Sequence, residues 1–464
     1  MKKNCLFFLA AIFAFPVFSF SEALLPPDAV KDSWHELFAE QADDEEYEEN
    51  DEWNEEAAAS WAEKAARKKA EERKQKRQAL KEIIPLVEST QKFSFAFYRE
   101  LLKDNDHADE NLFFSPLSLH FCLSMTAMGA NGETQKQMLD ALHLKDFTQA
   151  GKRRFKEFGK YFRYSGNRHK DEEVDYFMVN RFWCDSASPV LEDFREDLKH
   201  YFDATVANMN LKSEPEVSRK AINKIIAQDT KQRIKNLLSP GAITKDSAFV
   251  LANTMFFHGM WQHTFEEKDT RPGTFFLADG TEKETLMMGQ KEMHETYLDE
   301  TFRAISIPYM DWSRRCSMVI LLPNEKTGLP ALEKKLSPEL WEKITENLRT
   351  GEVDLKIPKF RFDTRLNLET YLERMGITEA FIPEKADFSG TSETNLWLGG
   401  AVHGASVEVD ELGTVAVAAT ADWMFLGGAG SKSMIFHADH PFLFFIRDDT
   451  TGAILFMGRF VSPP

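Results

Sequence analysis

Covalent chemistry in this chain would have to start from a nucleophile with a base beside it, and the sequence frames no such pair. Ser, His and Asp are frequent, yet no Gly-x-Ser-x-Gly turn lifts a serine off the end of a strand. There is no Gly-rich phosphate loop, no His-Glu-x-x-His and no dinucleotide fingerprint. Cys5, Cys122, Cys184 and Cys316 are widely spaced, and no Cys/His spacing suits a metal. The last three lie among apolar residues and read as buried thiols rather than a disulfide frame. An enzyme, a metal site and a cofactor are therefore not expected. One charged pattern does stand out. Lys152, Lys156 and Lys160 recur every four residues, with Arg163 three further on, so they share one helix face above Phe155, Phe158 and Phe162. A solvated face is the plain reading. A polyanion site, or a dock for an acidic arm of the same chain, is the sharper one.

A second unusual stretch is Glu411 to Thr420. Gly413 is followed by small and β-branched residues, with no Pro and no charge until Asp422. Such a segment suits an exposed loop and a β-strand equally well. As a strand it would set Thr414, Ala416 and Ala418 on one side and Val415, Val417 and Ala419 on the other. Beyond it, Trp423-Met-Phe-Leu426 is bulky and apolar, Gly427 and Gly428 follow, and no Lys or Arg occurs from Leu412 through Ser431.

The elements that must position these residues belong to a chain of 464 residues with 39 Phe, enough for a large core. A net charge of −18 argues against nucleic acid as a partner. Residues 1–23 read as a secretory leader: Lys2 and Lys3, then an apolar run from Cys5 to Phe18 too short to span a bilayer. The mature chain is expected to be secreted, extracellular or periplasmic, and monomeric, with no membrane contact. Residues 24–82 form a charged extension. Asp43 to Glu56 is acidic and expected to be unfolded. Ala57 to Lys81 is expected to be a solvated helix, with Glu63→Arg67 and Glu72→Lys76 as favourable pairs. Residues 83–464 are the folded body. Ser89 is placed to cap a helix carrying Phe93, Phe97 and Leu101. Ser115 is placed to cap the next, with Pro116 at its first position. Asn131-Gly-Glu-Thr134 opens a third, Phe177 to Trp183 reads as a strand, and Asp279-Gly280 signals a hairpin.

Several separated motifs then fall in one order: Asn111-Leu-Phe-Phe-Ser-Pro-Leu-Ser118, Gly129-Ala-Asn-Gly-Glu-Thr134, Asn180-Arg-Phe182, Leu251-Ala-Asn-Thr-Met-Phe-Phe-His-Gly-Met-Trp261, Ile357-Pro-Lys-Phe360, Lys385-Ala-Asp-Phe-Ser-Gly390 and Phe436-His-Ala-Asp-His-Pro-Phe-Leu-Phe-Phe-Ile446. Together they resemble the serpins over about residues 83–464. The resemblance implies an α+β domain of three β-sheets and about nine helices with an exposed reactive-centre loop. It implies a suicide substrate: a protease attacks the loop, and the cut loop inserts into the main sheet. Glu411, Gly413, Thr414, Ala416, Ala418 and Ala419 match the hinge. Ser115, Ser118, Asn253 and His403 match the polar cluster that controls sheet opening. Counting along the loop puts the reactive bond at Gly427–Gly428, with Leu426 or Phe425 as the alternative residue before the cut. Without a cation there, an elastase-, chymotrypsin- or subtilisin-like serine protease is the expected partner. A papain-like cysteine protease, or a non-inhibitory binding role, is the alternative. Leu412, beside the hinge glycine, and Asp422, which would point inward late in insertion, depart from the family pattern.

Overall fold

The computed structural model describes residues 55–104, 109–163, 174–230, 232, 234–310, 316–399, 401–414 and 433–464. The leader, most of the acidic arm, Ala416, Ala418, Ala419, Phe425, Leu426, Gly427 and Gly428 lie outside them. The chain divides into two compact units, Met1–Arg73 and Lys74–Pro464.

Among the described residues there are nine α-helices: α1 (Glu55–Leu101), α2 (Pro116–Met128), α3 (Gly132–Ala141), α4 (Gln149–Arg163), α5 (Glu192–Phe202), α6 (Pro215–Asp229), α7 (Leu329–Lys335), α8 (Pro338–Glu346) and α9 (Glu369–Arg374). The strands are β1 (Leu112–Phe114), β2 (Val174–Asp185), β3 (Thr205–Met209), β4 (Phe249–Met260), β5 (Arg271–Phe276), β6 (Glu282–Leu298), β7 (Phe302–Pro308), β8 (Cys316–Pro323), β9 (Arg349–Pro358), β10 (Phe360–Asn367), β11 (Val402–Val409), β12 (Gly413–Thr414), β13 (Met434–His437), β14 (Phe442–Asp448) and β15 (Ile454–Phe460).

They form two hydrogen-bonded networks. One has six strands in the order β10-β11-β12-β4-β2-β3. The other runs β1-β15-β14-β8-β7-β6-β9-β13, with β5 also on β6. Two sheets meet in this second network. The first part of β6 pairs with β5 and β9, and its last four residues pair with β7. The three sheets expected from the motifs are thus present, two of them continuous through one long strand.

Local sequence accounts for much of this. Ser115 caps α2 by accepting from the Ser118 N–H, with Pro116 as the first helical residue. The hairpin between β5 and β6 turns at Gly280, whose φ of +85° is a left-handed value that glycine adopts without strain. One expectation needs correction. Ser89 is not a cap, because α1 runs unbroken from Glu55 to Leu101 through Pro85. Its hydroxyl is taken by tertiary contacts instead: it donates to the Leu142 carbonyl at 2.6 Å and bonds His120 Nε2 at 2.9 Å. Cys184 and Cys316 are buried free thiols, while Cys122 is only half-buried.

One core cluster takes side chains from both networks, and a second packs α1, α2, α8 and α9 against β7, β8, β14 and β15. β8, β14 and β15 are buried at every residue. Phe113, Phe444 and Phe456 stack with centroids 4.9–5.7 Å apart. No helix among the described residues is long and apolar enough to cross a membrane.

Candidate functional site

The site is built where β11 turns back on itself. β11 ends at Val409, and Asp410 makes the turn: its Oδ1 accepts from the N–H groups of Leu412 (3.0 Å) and Gly413 (3.1 Å). Its own N–H donates to the Gly413 carbonyl at 3.0 Å. The chain then starts a new strand, β12, between β11 and β4. Thr414 pairs with Val409 on one side, while Gly413 and Thr414 pair with Met260 and Gly259 on the other. Among the described residues β4 and β11 share no ladder of their own, so only these two residues bridge them.

Gly413 is required here by close approach. A Cβ at this position would lie 2.0 Å from the Gly259 carbonyl oxygen and 2.7 Å from the Met260 Cα. A Cβ on Gly259 would in turn press on the rings of Phe257 and Tyr309 at 2.8 Å. Thr414 is 2% exposed and shares a 2.7 Å hydrogen bond with the Tyr309 hydroxyl. Burial raises the Tyr309 pKa well above the usual phenol value, so this hydroxyl stays protonated. Tyr309 stacks on Trp261 with centroids 4.6 Å apart. Trp261 donates from its backbone to Leu412 O and from Nε1 to Asp410 O, both at 2.9 Å.

Glu411 fastens the turn to the rest of the unit. Its carboxylate accepts from Lys359 Nζ at 2.6 Å and from the Thr270 hydroxyl at 3.0 Å. Burial alone would raise its pKa, but the Lys359 ammonium and the Thr270 hydroxyl outweigh it and hold the carboxyl below its ordinary value.

Further down the same sheet, β11 delivers His403 to the N-terminus of α2. His403 Nε2 accepts from the Ser115 N–H at 3.1 Å. The Ser115 hydroxyl donates to Leu455 O at 2.7 Å and accepts from the Ser118 N–H at 3.1 Å. The structure therefore brings three of the four expected cluster residues together. The fourth, Asn253, sits on β4 opposite Asn180, and its side chain lies outside the described residues. Burial lowers the His403 pKa to about 4, which keeps the ring neutral and able to accept.

The Lys152 stripe lies on α4, as its spacing requires, with Phe155 and Phe158 buried beneath. Two of its cations are answered by carboxylates, and a third meets an imidazole. Lys152 pairs with Asp197, Lys160 with Glu157 at 2.7 Å, and Lys156 Nζ lies 2.9 Å from His200 Nε2. The Arg163 side chain lies outside the described residues. No group of His, Cys, Asp or Glu among the described residues is arranged to hold a metal.

Trp261 and Lys359 fall within motifs of the sequence, while Tyr309 and Thr270 fall in none of those named above. That any of the four meets Asp410–Thr414 is not legible locally, because each reaches it from another part of the chain.

The six-stranded sheet thus holds Gly413 and Thr414 between β11 and β4, and the chain resumes as β13 in the other network. Comparison with known proteins names the family. The family model described as serpin (serine protease inhibitor) matches residues 88–463. Serpin B6 of Pongo abelii is 35% identical over 384 residues, covering 82% of this chain and 99% of that protein. The leukocyte elastase inhibitor of Xenopus tropicalis is 34% identical over 378 residues, covering 80% and 97%. The solved structure of cleaved Serpin 42Da superposes with a TM-score of 0.71 at 26% identity, covering 82% of this chain and 99% of that one. The chain belongs to the serpin family. The family is described as serine protease inhibitors, one relative is named for inhibiting leukocyte elastase, and this chain is a serpin rather than an enzyme.

Proposed function

We propose that this serpin is a secreted suicide substrate that traps a serine protease of the elastase, chymotrypsin or subtilisin type. The observation that carries the reading is β12: the hinge has already entered the gap between β11 and β4 with its inward threonine buried. The protease serine attacks the carbonyl carbon of Gly427. An ester C–O bond forms, the C–N bond to Gly428 breaks, and the leaving amine takes a proton. The freed loop then extends β12 as a full strand.

Continuing the observed register supports this. Each step of two residues along the loop is a step of two back along both neighbours, so Ala416 falls opposite Val407 and Ala418 opposite Ala405. Val407 and Ala405 are buried residues of β11, facing the same side as Val409. Thr420 then falls opposite His403 and Asn253, which adds a hydroxyl to the polar cluster at the moment the sheet closes. Asp422 follows opposite Ala401 and Leu251, and an unpaired carboxylate there costs about 1–3 kcal/mol. About ten new backbone hydrogen bonds at about 1 kcal/mol each exceed that cost. Their sum is comparable with the 5–15 kcal/mol, roughly, that holds a protease folded.

The test is a denaturing gel of the chain mixed with elastase, chymotrypsin, subtilisin and papain, with mass spectrometry of the C-terminal fragment. A denaturant-stable adduct with one of the serine enzymes, and a fragment beginning at Gly428 or a neighbour, is expected. An adduct with papain alone would move the target to cysteine proteases. Clean cleavage with no adduct and no rise in thermal stability would leave a binding role instead.

A further inference from the structure

We propose that the exposed face of the sheet β5-β6-β9-β13 holds a binding site for a short peptide with free ends. A cleft of about 620 Å³ opens there. That volume falls in the range of about 300–1,000 Å³ typical of small-ligand sites and is far more than an ion needs. Gly289 lies in its lining, level with Lys356 and His437 on the next two strands. Nothing in the backbone demands glycine here. Its φ is not left-handed, and the β6–β9 ladder runs through it without a bulge. A Cβ would make only ordinary contacts, 3.4 Å to the Asp269 carbonyl oxygen and 3.8 Å to Lys356 Cγ. Glycine inside a strand weakens it, and one with no backbone reason marks a floor kept open for something to lie close.

The charges of the lining divide into two groups. Asp354 meets His437 at 3.3 Å, Lys291 pairs with Glu352 at 3.1 Å, and Asp439 bonds His440 Nδ1 at 2.8 Å. Asp269, Arg271 and Lys356 are exposed, and none has an ion pair with a described residue. Arg271 donates only to the neighbouring Thr270 carbonyl at 3.2 Å, and Lys268, beside Asp269, is paired with Glu266. Gln290 also lines the cleft, and its Oε1 is buried with no partner among the described residues. An unmet buried polar atom is costly and calls for a partner from outside. A peptide group answers it in either orientation of the side-chain amide, because it offers both an N–H and a C=O. Arg271 and Lys356 suit a terminal carboxylate, and Asp269 suits a terminal ammonium. Met287 is buried and Phe276 half-buried in the same lining, the latter with Lys326 over its ring, so a side chain of the ligand finds apolar contact. A purely anionic ligand fits worse, since Asp269, Asp354 and Asp439 would all oppose it.

The experiment is isothermal titration calorimetry of the full chain with the tripeptide alanyl-phenylalanyl-alanine, free at both ends, and with the same tripeptide acetylated and amidated. The free peptide is expected to bind with a Kd on the order of 10–100 μM, and the blocked one at least about tenfold more weakly. The double variant Arg271→Gln, Lys356→Gln is expected to weaken the free peptide about tenfold and the blocked peptide less than about twofold, because only the free one brings a carboxylate. Gly289→Leu, which fills the floor, is expected to abolish binding of the free peptide. Four results overturn the proposal: no binding to the natural chain, blocked peptide binding as tightly as free, a double variant that binds the free peptide unchanged, or one that weakens both peptides equally. Unchanged binding by Gly289→Leu overturns it as well. If that variant fails to fold, the double variant decides, since both of its positions are exposed. A peptide lodged between β11 and β4 instead would be indifferent to all three substitutions. The measurement involves no protease, so its outcome is independent of whether the loop traps one.

Discussion

In the β8–β14–β15 half of the larger network every residue is buried and most are aliphatic or aromatic, whereas the six-stranded sheet is threaded with polar and small residues. Thr364, Asn180, His403 and Thr414 are all buried in the six-stranded sheet, and Gly259 and Gly413 meet backbone to backbone at its centre. The first region is held by dispersion and ring stacking, which have no second arrangement of equal quality. The second is held by hydrogen bonds that can be exchanged for others of the same kind. One sheet is built to persist, and the other has the exchangeable contacts that the proposed strand insertion requires.

The largest expected effect comes from damaging the persistent half. Phe444→Ala, in the stack with Phe113 and Phe360, is expected to cost about 3–5 kcal/mol in urea unfolding, with no site able to compensate. A similar loss in a Thr364→Ala variant would break the comparison.

Acid is next. Burial holds His403 at about 4, His294 at about 4 and His120 at about 3, against about 6.5 for a free imidazole. Below pH 6.5 the unfolded chain takes up protons that these rings refuse, so stability falls as pH falls toward 4. Each ring contributes up to about 1.4 kcal/mol per pH unit, or about 3 kcal/mol by pH 4.5. Among the three, only His403 belongs to the six-stranded sheet. His403→Gln is expected to flatten the pH dependence of the unfolding midpoint by about that ring's share. An unchanged slope would mean that His403 does not refuse a proton in the folded chain.

Gly413→Val sharpens the contrast at the hinge. A side chain cannot fit against the Gly259 carbonyl, so β12 must leave the sheet at a cost of about 1–3 kcal/mol. The variant is expected to be cut by the same protease without forming an adduct. A normal adduct would show that the hinge can enter the sheet by another route.

The smallest effect is expected for Glu411→Gln. Its partner Lys359 is 42% exposed along its side chain, so the ion pair is screened and the loss is about 1 kcal/mol or less. A much larger loss would mean that the turn is fastened mainly through this carboxylate.

What could be read from the sequence follows the range of each interaction. The Ser115 cap, the strand Phe249–Met260 and the α4 stripe are signalled within a few residues, and sequence patterns find them. Ser89 has the same type as a cap, but its hydroxyl is spent on Leu142, 53 positions away. The hinge residues could be listed, yet not their partners. Lys359 lies 52 positions before Glu411, and Tyr309 lies 105 before Thr414. Such contacts exist only after the sheets have assembled, so no window along the chain contains them.

The stretch after the proposed reactive bond has a consequence of its own. It re-enters the fold as β13, then supplies β14 and β15, and β14 is laddered on both sides, to β15 and to β8. A chain severed at Gly427 is therefore expected to stay in one piece in ordinary buffer: the distal fragment is a structural member of the body it is severed from, and denaturant is needed to pull the two apart. For this molecule, integrity of the covalent chain and integrity of the folded object are separate properties, and a cut can end the first without disturbing the second.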